Sequence, residues 1–295
     1  MTGDCQPPSY LLTTSKFRRR QPPPTDAFTI IKKVIMNKIA EIFYNPTIDI
    51  KRLNALQAQA DPASRYVIAM TPRSGSTYLC DLMSSISRFG QPNELLNQDG
   101  LAKHIKDAPG RTPDEYLRHI LRNRQTDNGV SGLKTSWFQF ENFTGYMDDR
   151  VYLAGFKYIY LTRRNLAAQA VSLYKATATG VFHTDTEHSP EALAKLHDLE
   201  YDYATIKYWY DHIVVQEKGW QSYFYENSIY PLCISYEDIA ENVVKVLQRI
   251  AAYVAANPNT VYMPVQGSII KKISDQRNDQ WTRRFAIELS LNKHA

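Results

Sequence analysis

Apolar positions in the first part of the chain recur at helical spacing. Ile31, Val34, Ile35, Ile39 and Ile42 share one face of a segment from Phe28 to Tyr44. That spacing predicts an N-terminal helix packed on a core and ended by Asn45-Pro46. A more polar helix from Lys51 to Ala60 follows, and then the pattern changes. Tyr66 to Met70 is a short continuous apolar run, as in a strand buried on both faces. Leu79, Leu82, Met83 and Ile86 return to helical spacing, with Gly90 as the expected closing residue.

This alternation repeats. Val130 to Thr135 reads as a strand, with a helix from about Trp137. Tyr158 to Thr162 reads as a strand, with a helix from Leu166 to Thr179 ended by Gly180. Tyr230 to Ile234 is a further strand, and Ile239, Val243, Val246, Ile250 and Tyr253 mark the helix after it. Leu199, Tyr203, Ile206, Tyr210 and Ile213 mark a long helix between the last two strands. Strands alternating with helices predict an α/β fold whose parallel sheet is covered on both faces. The expected organisation is a disordered arm over 1–25, a helical extension over 26–60 and one α/β domain over 61–295.

Composition narrows this picture without redirecting it. The 295 residues are 43% hydrophobic and 22% charged, an ordinary globular balance with no apolar run of transmembrane length. The net charge of +5 is small and its basic residues are scattered, so nucleic acid is not an expected partner. The one dense cluster, Lys16 with Arg18 to Arg20, stands beside Pro22 to Pro24, the composition of the disordered arm. The N-terminus lacks the long apolar stretch of a secretory signal. The 3 cysteines are odd in number and far apart, which predicts reduced thiols, no zinc site and a cytoplasmic setting. Cys80 is expected in the core.

Candidate chemistry begins at Thr71 to Thr77, between a buried strand and an amphipathic helix. Ligands of open α/β sheets bind beyond the carboxyl ends of strands, where loop amides and a helix N-terminus converge on an anion. Gly75 permits close backbone approach, Ser74, Ser76 and Thr77 add hydroxyls, and Arg73 adds charge. The loop lacks the Gly-Lys ending of a Walker A loop, so ATP hydrolysis is not its natural chemistry. Arg163-Arg164-Asn165 follows another strand, with Ser172 two turns into the next helix. An arginine fork with a hydroxyl suits a second, separate phosphate. Spacing favours Arg164 over Arg163 as its main contact.

These residues resemble a known family. Pro72-Arg73-Ser74-Gly75-Ser76-Thr77 looks like the 5′-phosphosulfate loop of sulfotransferases, and Arg164 with Ser172 like their 3′-phosphate site. The chain is most similar to the bacterial trehalose 2-sulfotransferase-like family of carbohydrate and lipopolysaccharide sulfotransferases. Gly90 to Glu94, Gln169 to Ser172, Gly219 to Phe224 and Asp275 to Trp281 extend the resemblance over roughly 65–290. It implies a P-loop-like three-layer fold that uses 3′-phosphoadenosine 5′-phosphosulfate (PAPS) as co-substrate, without a metal. The acceptor would be a hydroxyl of a carbohydrate or glycolipid, met by loops over about 91–125 and 180–200. The resemblance also allows a homodimer.

Glu94 matches the family's proposed general base, and a carboxylate suits removal of an acceptor proton. Lys134, in Leu133-Lys134-Thr135-Ser136, resembles the Lys-Thr-His of cytosolic sulfotransferases, whose lysine assists the leaving phosphate. Ser136 stands where those enzymes have histidine, which again turns attention to Glu94. Arg277 and Trp281, with Arg283 less well matched, resemble the loop that covers the 3′-phosphate and adenine. A small-molecule P-loop kinase and a non-catalytic nucleotide-binding scaffold are the alternatives. His183 and His188 with Asp185 and Glu187 lack regular ligand spacing and read as a polar loop. Tyr201, Tyr203, Tyr208 and Tyr210 are expected to pack between helices.

Overall fold

A computed structural model describes residues 39, 41–43, 48–145, 153–182, 188–256 and 276–292. The arm over 1–25, most of the expected helix over 28–44 and the stretch 183–187 lie outside the described residues. In chain order the elements are α1 (Ile50–Gln57), β1 (Ser64–Met70), α2 (Ser76–Ser85), α3 (Gln98–His104), α4 (Pro113–Asn123), β2 (Val130–Ser136) and α5 (Trp137–Thr144). There follow β3 (Lys157–Thr162), α6 (Leu166–Thr179), α7 (Pro190–Asp198), α8 (Tyr203–Glu226), β4 (Leu232–Ser235), α9 (Tyr236–Tyr253) and α10 (Gln276–Leu291).

The strands form one parallel sheet in the order β2-β1-β3-β4. Side-chain alternation along β1 divides its apolar residues between two layers. Tyr66, Ile68 and Met70 pack with Leu79 and Met83 of α2 and Val246 and Ile250 of α9. Val67 and Ala69 pack with Ile120 of α4, Phe140 of α5 and Trp220 of α8. Each buried Val, Leu, Ile, Met or Phe among these contributes about 1.5–3 kcal/mol of transfer free energy. The result is the expected three-layer α/β arrangement. Gly132 is required inside β2, because a Cβ there would stand 2.3 Å from Cζ of the Tyr66 ring. That ring is fixed by its hydroxyl, which donates to Phe89 O at 2.6 Å.

The register brings the strand ends level: Met70 pairs with Ser136 and Leu161, and Leu161 with Ile234. The segments after β1, β2, β3 and β4 therefore emerge along one edge of the sheet. No described helix is long and apolar enough to cross a membrane.

Several local expectations need correction. α2 ends at Ser85, about a turn before Gly90; the Ser85 hydroxyl bonds back to Leu82 O at 2.8 Å, and Ser87 takes the left-handed conformation at φ 54°. Gly90 is instead a point of close approach, where a Cβ would stand 2.9 Å from Ser131 Cα. The final strand starts at Leu232, and Tyr230 is exposed. α3, α4 and α7 stand within regions expected as loops. Two of them carry start signals in the sequence, Thr112-Pro113 and Ser189-Pro190, whose hydroxyls accept from Glu115 N and Ala192 N. Cys80 is free and buried, as expected, but Cys233 is disulfide-bonded.

Candidate active site

The segment leaving β1 is held from both sides. Trp220 of α8 donates its indole N–H to Met70 O at 3.1 Å. Gln169 of α6, fully buried, donates from Nε2 to Thr71 Oγ1 at 2.8 Å and to Pro72 O at 2.7 Å. Within this clamp Arg73 and Gly75 both take positive φ, 67° and 85°. A non-glycine residue in that region carries strain that the surrounding bonds must offset. The double left-handed turn aims the N-terminus of α2, starting at Ser76, into a cleft of about 1030 Å³. Gly75, Ser76 and Thr77 line that cleft.

Glu94 reaches the same cleft from a single rung added to the sheet. It pairs in parallel with Lys134 on β2, and Lys134 N donates to Asn93 O at 2.9 Å. Glu94 Oε1 lies 3.3 Å from Lys134 Nζ, while Oε2 accepts from Gln139 Nε2 at 3.0 Å and Asn97 Nδ2 at 3.2 Å. Lys134 Nζ also donates to Thr77 Oγ1 at 2.9 Å, tying the pair to the loop helix. The Lys134 side chain is only 4% exposed, against 30% for Glu94. Burial by itself pushes the Glu94 carboxyl up. The Lys134 charge and the bonds from Gln139, Lys134 and Asn97 outweigh that and hold it below its ordinary range. Glu94 is thus a carboxylate at neutral pH on the wall of the cleft.

Two arginines face the cleft from adjacent strand ends. Arg73 donates from Nε to Ser172 Oγ at 3.0 Å and from Nη1 to Phe182 O at 2.5 Å. Arg163 donates from Nη1 to Arg73 O at 3.3 Å and lies over the Tyr236 ring, 4.7 Å from its centroid. Burial holds both guanidinium groups below the usual arginine range, and for Arg73 the neighbouring Arg163 adds to the effect. Neither forms an ion pair with a described residue. The buried Ser74 Oγ and Arg163 Nε have no hydrogen-bond partner among the described residues. Two neighbouring half-buried cations beside these unmatched donors favour an anion between them.

The expected site residues are thus divided. Arg73, Gly75, Ser76, Thr77, Glu94, Arg163 and Ser172 line one cleft; Ser74 is buried in its loop and Lys134 behind its wall. Arg164 turns away: its side chain is 64% exposed and pairs with Asp238, beside a separate hollow it shares with Tyr210. Arg277 donates to the backbone carbonyls of His197 and Leu196 and lies over Trp281, 5.3 Å from the ring centroid. Trp281 packs against Tyr174 and Tyr201. It is Asn278, Asp279 and Thr282 of the same helix that line the cleft.

Gln139, Tyr236 and the clamping role of Gln169 go beyond what the sequence singles out. Gln139 completes a capping box with Ser136, a local signature that could have been read. The Gln169 clamp and the Tyr236 ring carry no local signature. Among the described residues no group of three or more His, Cys, Asp or Glu could hold a metal ion.

Comparison with known proteins agrees with this construction. Residues 65–288 match the family model described as Stf0 sulphotransferase. The chain is 24% identical over 263 residues to a trehalose 2-sulfotransferase of Mycobacterium tuberculosis, covering 76% of this chain and 94% of that protein. It is 23% identical over 267 residues to a trehalose 2-sulfotransferase of Mycolicibacterium smegmatis, covering 77% of this chain and 96% of the relative. The matched span contains every cleft residue described above, from the β1 loop to α10, and the chain belongs to the Stf0 sulfotransferase family.

Proposed function

We propose that this enzyme transfers a sulfuryl group from PAPS to a hydroxyl of a carbohydrate or glycolipid, with Glu94 as the general base. The observation that carries the reading is the adjacency of an anion cradle and an ionised, cleft-facing carboxylate. Arg73, Arg163, Ser172 and the N-terminus of α2 supply the cradle, and Glu94 lines the same cleft, linked to Thr77 through Lys134. The names of the two mycobacterial relatives support a sugar acceptor and make trehalose the first to try.

Sulfuryl transfer asks the protein for positioning, charge stabilisation and removal of one proton. The acceptor oxygen bonds to sulfur while the bond from sulfur to the phosphate oxygen breaks. Glu94 takes the hydroxyl proton, and 3′-phosphoadenosine 5′-phosphate (PAP) leaves. Lys134, buried between Glu94 and Thr77, supplies positive charge on the loop side of the reaction. Gln139 and Asn97 hold the carboxylate in place through Oε2.

A thermal-shift titration with PAP, ADP and AMP, with and without magnesium, tests the donor site. Stabilisation by PAP independent of magnesium is expected, about 2.7 kcal/mol at a hundred times its Kd. Preference for ADP with magnesium would replace the reading by a kinase. Glu94→Gln should retain PAP affinity and lose most turnover; near-normal turnover removes Glu94 from the base role.

A further inference from the structure

One face of α8 stands outside the core. Tyr208, His212 and Val215 follow each other along it at helical spacing, with Tyr208 60% exposed and Val215 51%. Tyr203 and Tyr210 pack on Phe285, and Tyr201 on Trp281. Helix packing therefore accounts for those three tyrosines but not for Tyr208.

The surrounding rings form a continuous group. Tyr208 lies 5.0 Å from Trp209 and 6.2 Å from His212, the latter at 29° between planes. Trp209 is 5.3 Å from His212, and Phe138 is 5.0 Å from it. Phe138 immediately precedes Gln139, the residue that bonds Glu94, and Ser136 and Gln139 both line the cleft. Trp220 fixes α8 at the end of β1, while Tyr223 and Phe224 reach back along the sheet to Tyr158. The segment from His212 back to Tyr208 therefore lies about 12–18 Å before Trp220 along the helix axis, on the side of the sheet's carboxyl edge.

A pyranose offers a face of C–H bonds ringed by hydroxyl groups. Aromatic rings bury the face, while a phenol, an indole N–H or an imidazole at the margin bonds the hydroxyls. Burial keeps the His212 imidazole below the usual histidine range, so it is uncharged at neutral pH.

We propose that Phe138, Tyr208, Trp209 and His212 form the platform on which a pyranose ring of the acceptor lies, joined to the cleft wall through Gln139. This rests on the carbohydrate reading above and adds the surface that recognises the sugar.

The test is saturation-transfer NMR of the full chain titrated with trehalose, maltose and cellobiose in the presence of PAP. Wild type should show transfer to the ring protons of at least one disaccharide. Tyr208→Ala should raise its Kd by about tenfold, with PAP affinity and melting temperature unchanged, and Tyr208→Phe should restore most of the binding. Tyr225→Ala, at a still more exposed tyrosine farther along α8, serves as the control and should have no effect. Unchanged sugar affinity in Tyr208→Ala, or no transfer to any disaccharide, overturns the platform. So does conversion of a dimer to a monomer by Tyr208→Ala, which would make this face a contact between copies. Sugar binding without sulfuryl transfer would sink the catalytic reading and leave the platform standing.

Discussion

Gly75→Ala separates backbone strain from steric contact at the centre of the anion loop. Gly75 holds φ 85° and ψ 10°, and its absent Cβ would lie 2.7 Å from Tyr236 Cδ2 and 3.4 Å from Cε2. The left-handed backbone alone costs an alanine about 1–2 kcal/mol. Forcing a methyl into the occupied space adds about 1–3 kcal/mol. The ring has little freedom to yield, because the Arg163 guanidinium lies over it and Tyr236 opens α9 directly after the capping residue Ser235. The single substitution should therefore cost about 2–5 kcal/mol. In a Tyr236→Ala background the steric part disappears and only the strain of about 1–2 kcal/mol remains. Urea unfolding followed by tryptophan fluorescence measures all four corners of the cycle. A coupling of about 1–3 kcal/mol is expected; additivity within about 0.5 kcal/mol would refute the ring contact.

Three further outcomes follow from the same geometry. The folded Glu94 carboxyl titrates below its ordinary value of 4.5, so the unfolded chain binds more protons there. The stability it contributes is complete above that pH and drains as pH falls through the lower folded value. Glu94→Gln should flatten this acid limb in pH-dependent unfolding; an unchanged limb contradicts the assignment. Gln169→Leu removes two donations to the β1 loop and should lower unfolding stability by about 1–3 kcal/mol while weakening PAP; equal PAP affinity would show that the loop holds without its clamp. By calorimetry, Arg163→Ala should cost about 1.5–3 kcal/mol of PAP binding, whereas Arg164→Ala, removing a solvated ion pair, should cost less than about 1 kcal/mol. The opposite order would place Arg164 in the cradle.

The sheet was legible because most of its strands are short apolar runs, β2 with its Ser131, Gly132 and Lys134 excepted, and its helices have regular apolar faces. Tyr66 to Met70 and Tyr158 to Thr162 differ from their observed strands only at the ends. Gly180, which closes α6 with φ 77°, was equally readable. Gly90 misled, since a positive-φ glycine can serve close packing as readily as a helix end. The β1 loop and the Glu94 and Lys134 positions could be singled out, but their direct contact could not. It arises when a segment 40 residues away in sequence is laid beside β2. Arg163 and Arg164 show the remaining limit. Neighbouring residues leaving a strand diverge in direction, and spacing from Ser172 does not say which turns inward.

The single rung joining Glu94 to Lys134 separates two kinds of evolutionary freedom. The carboxylate and the lysine proposed for the transfer are referenced to hydrogen bonds of the sheet, through Asn93 O and Lys134 N. Past Asn97, which also bonds the carboxylate, the connections that join α3, α4 and β2 can lengthen or shorten without altering that pairing. Such an arrangement lets acceptor choice drift among descendants while the reaction itself stays in register.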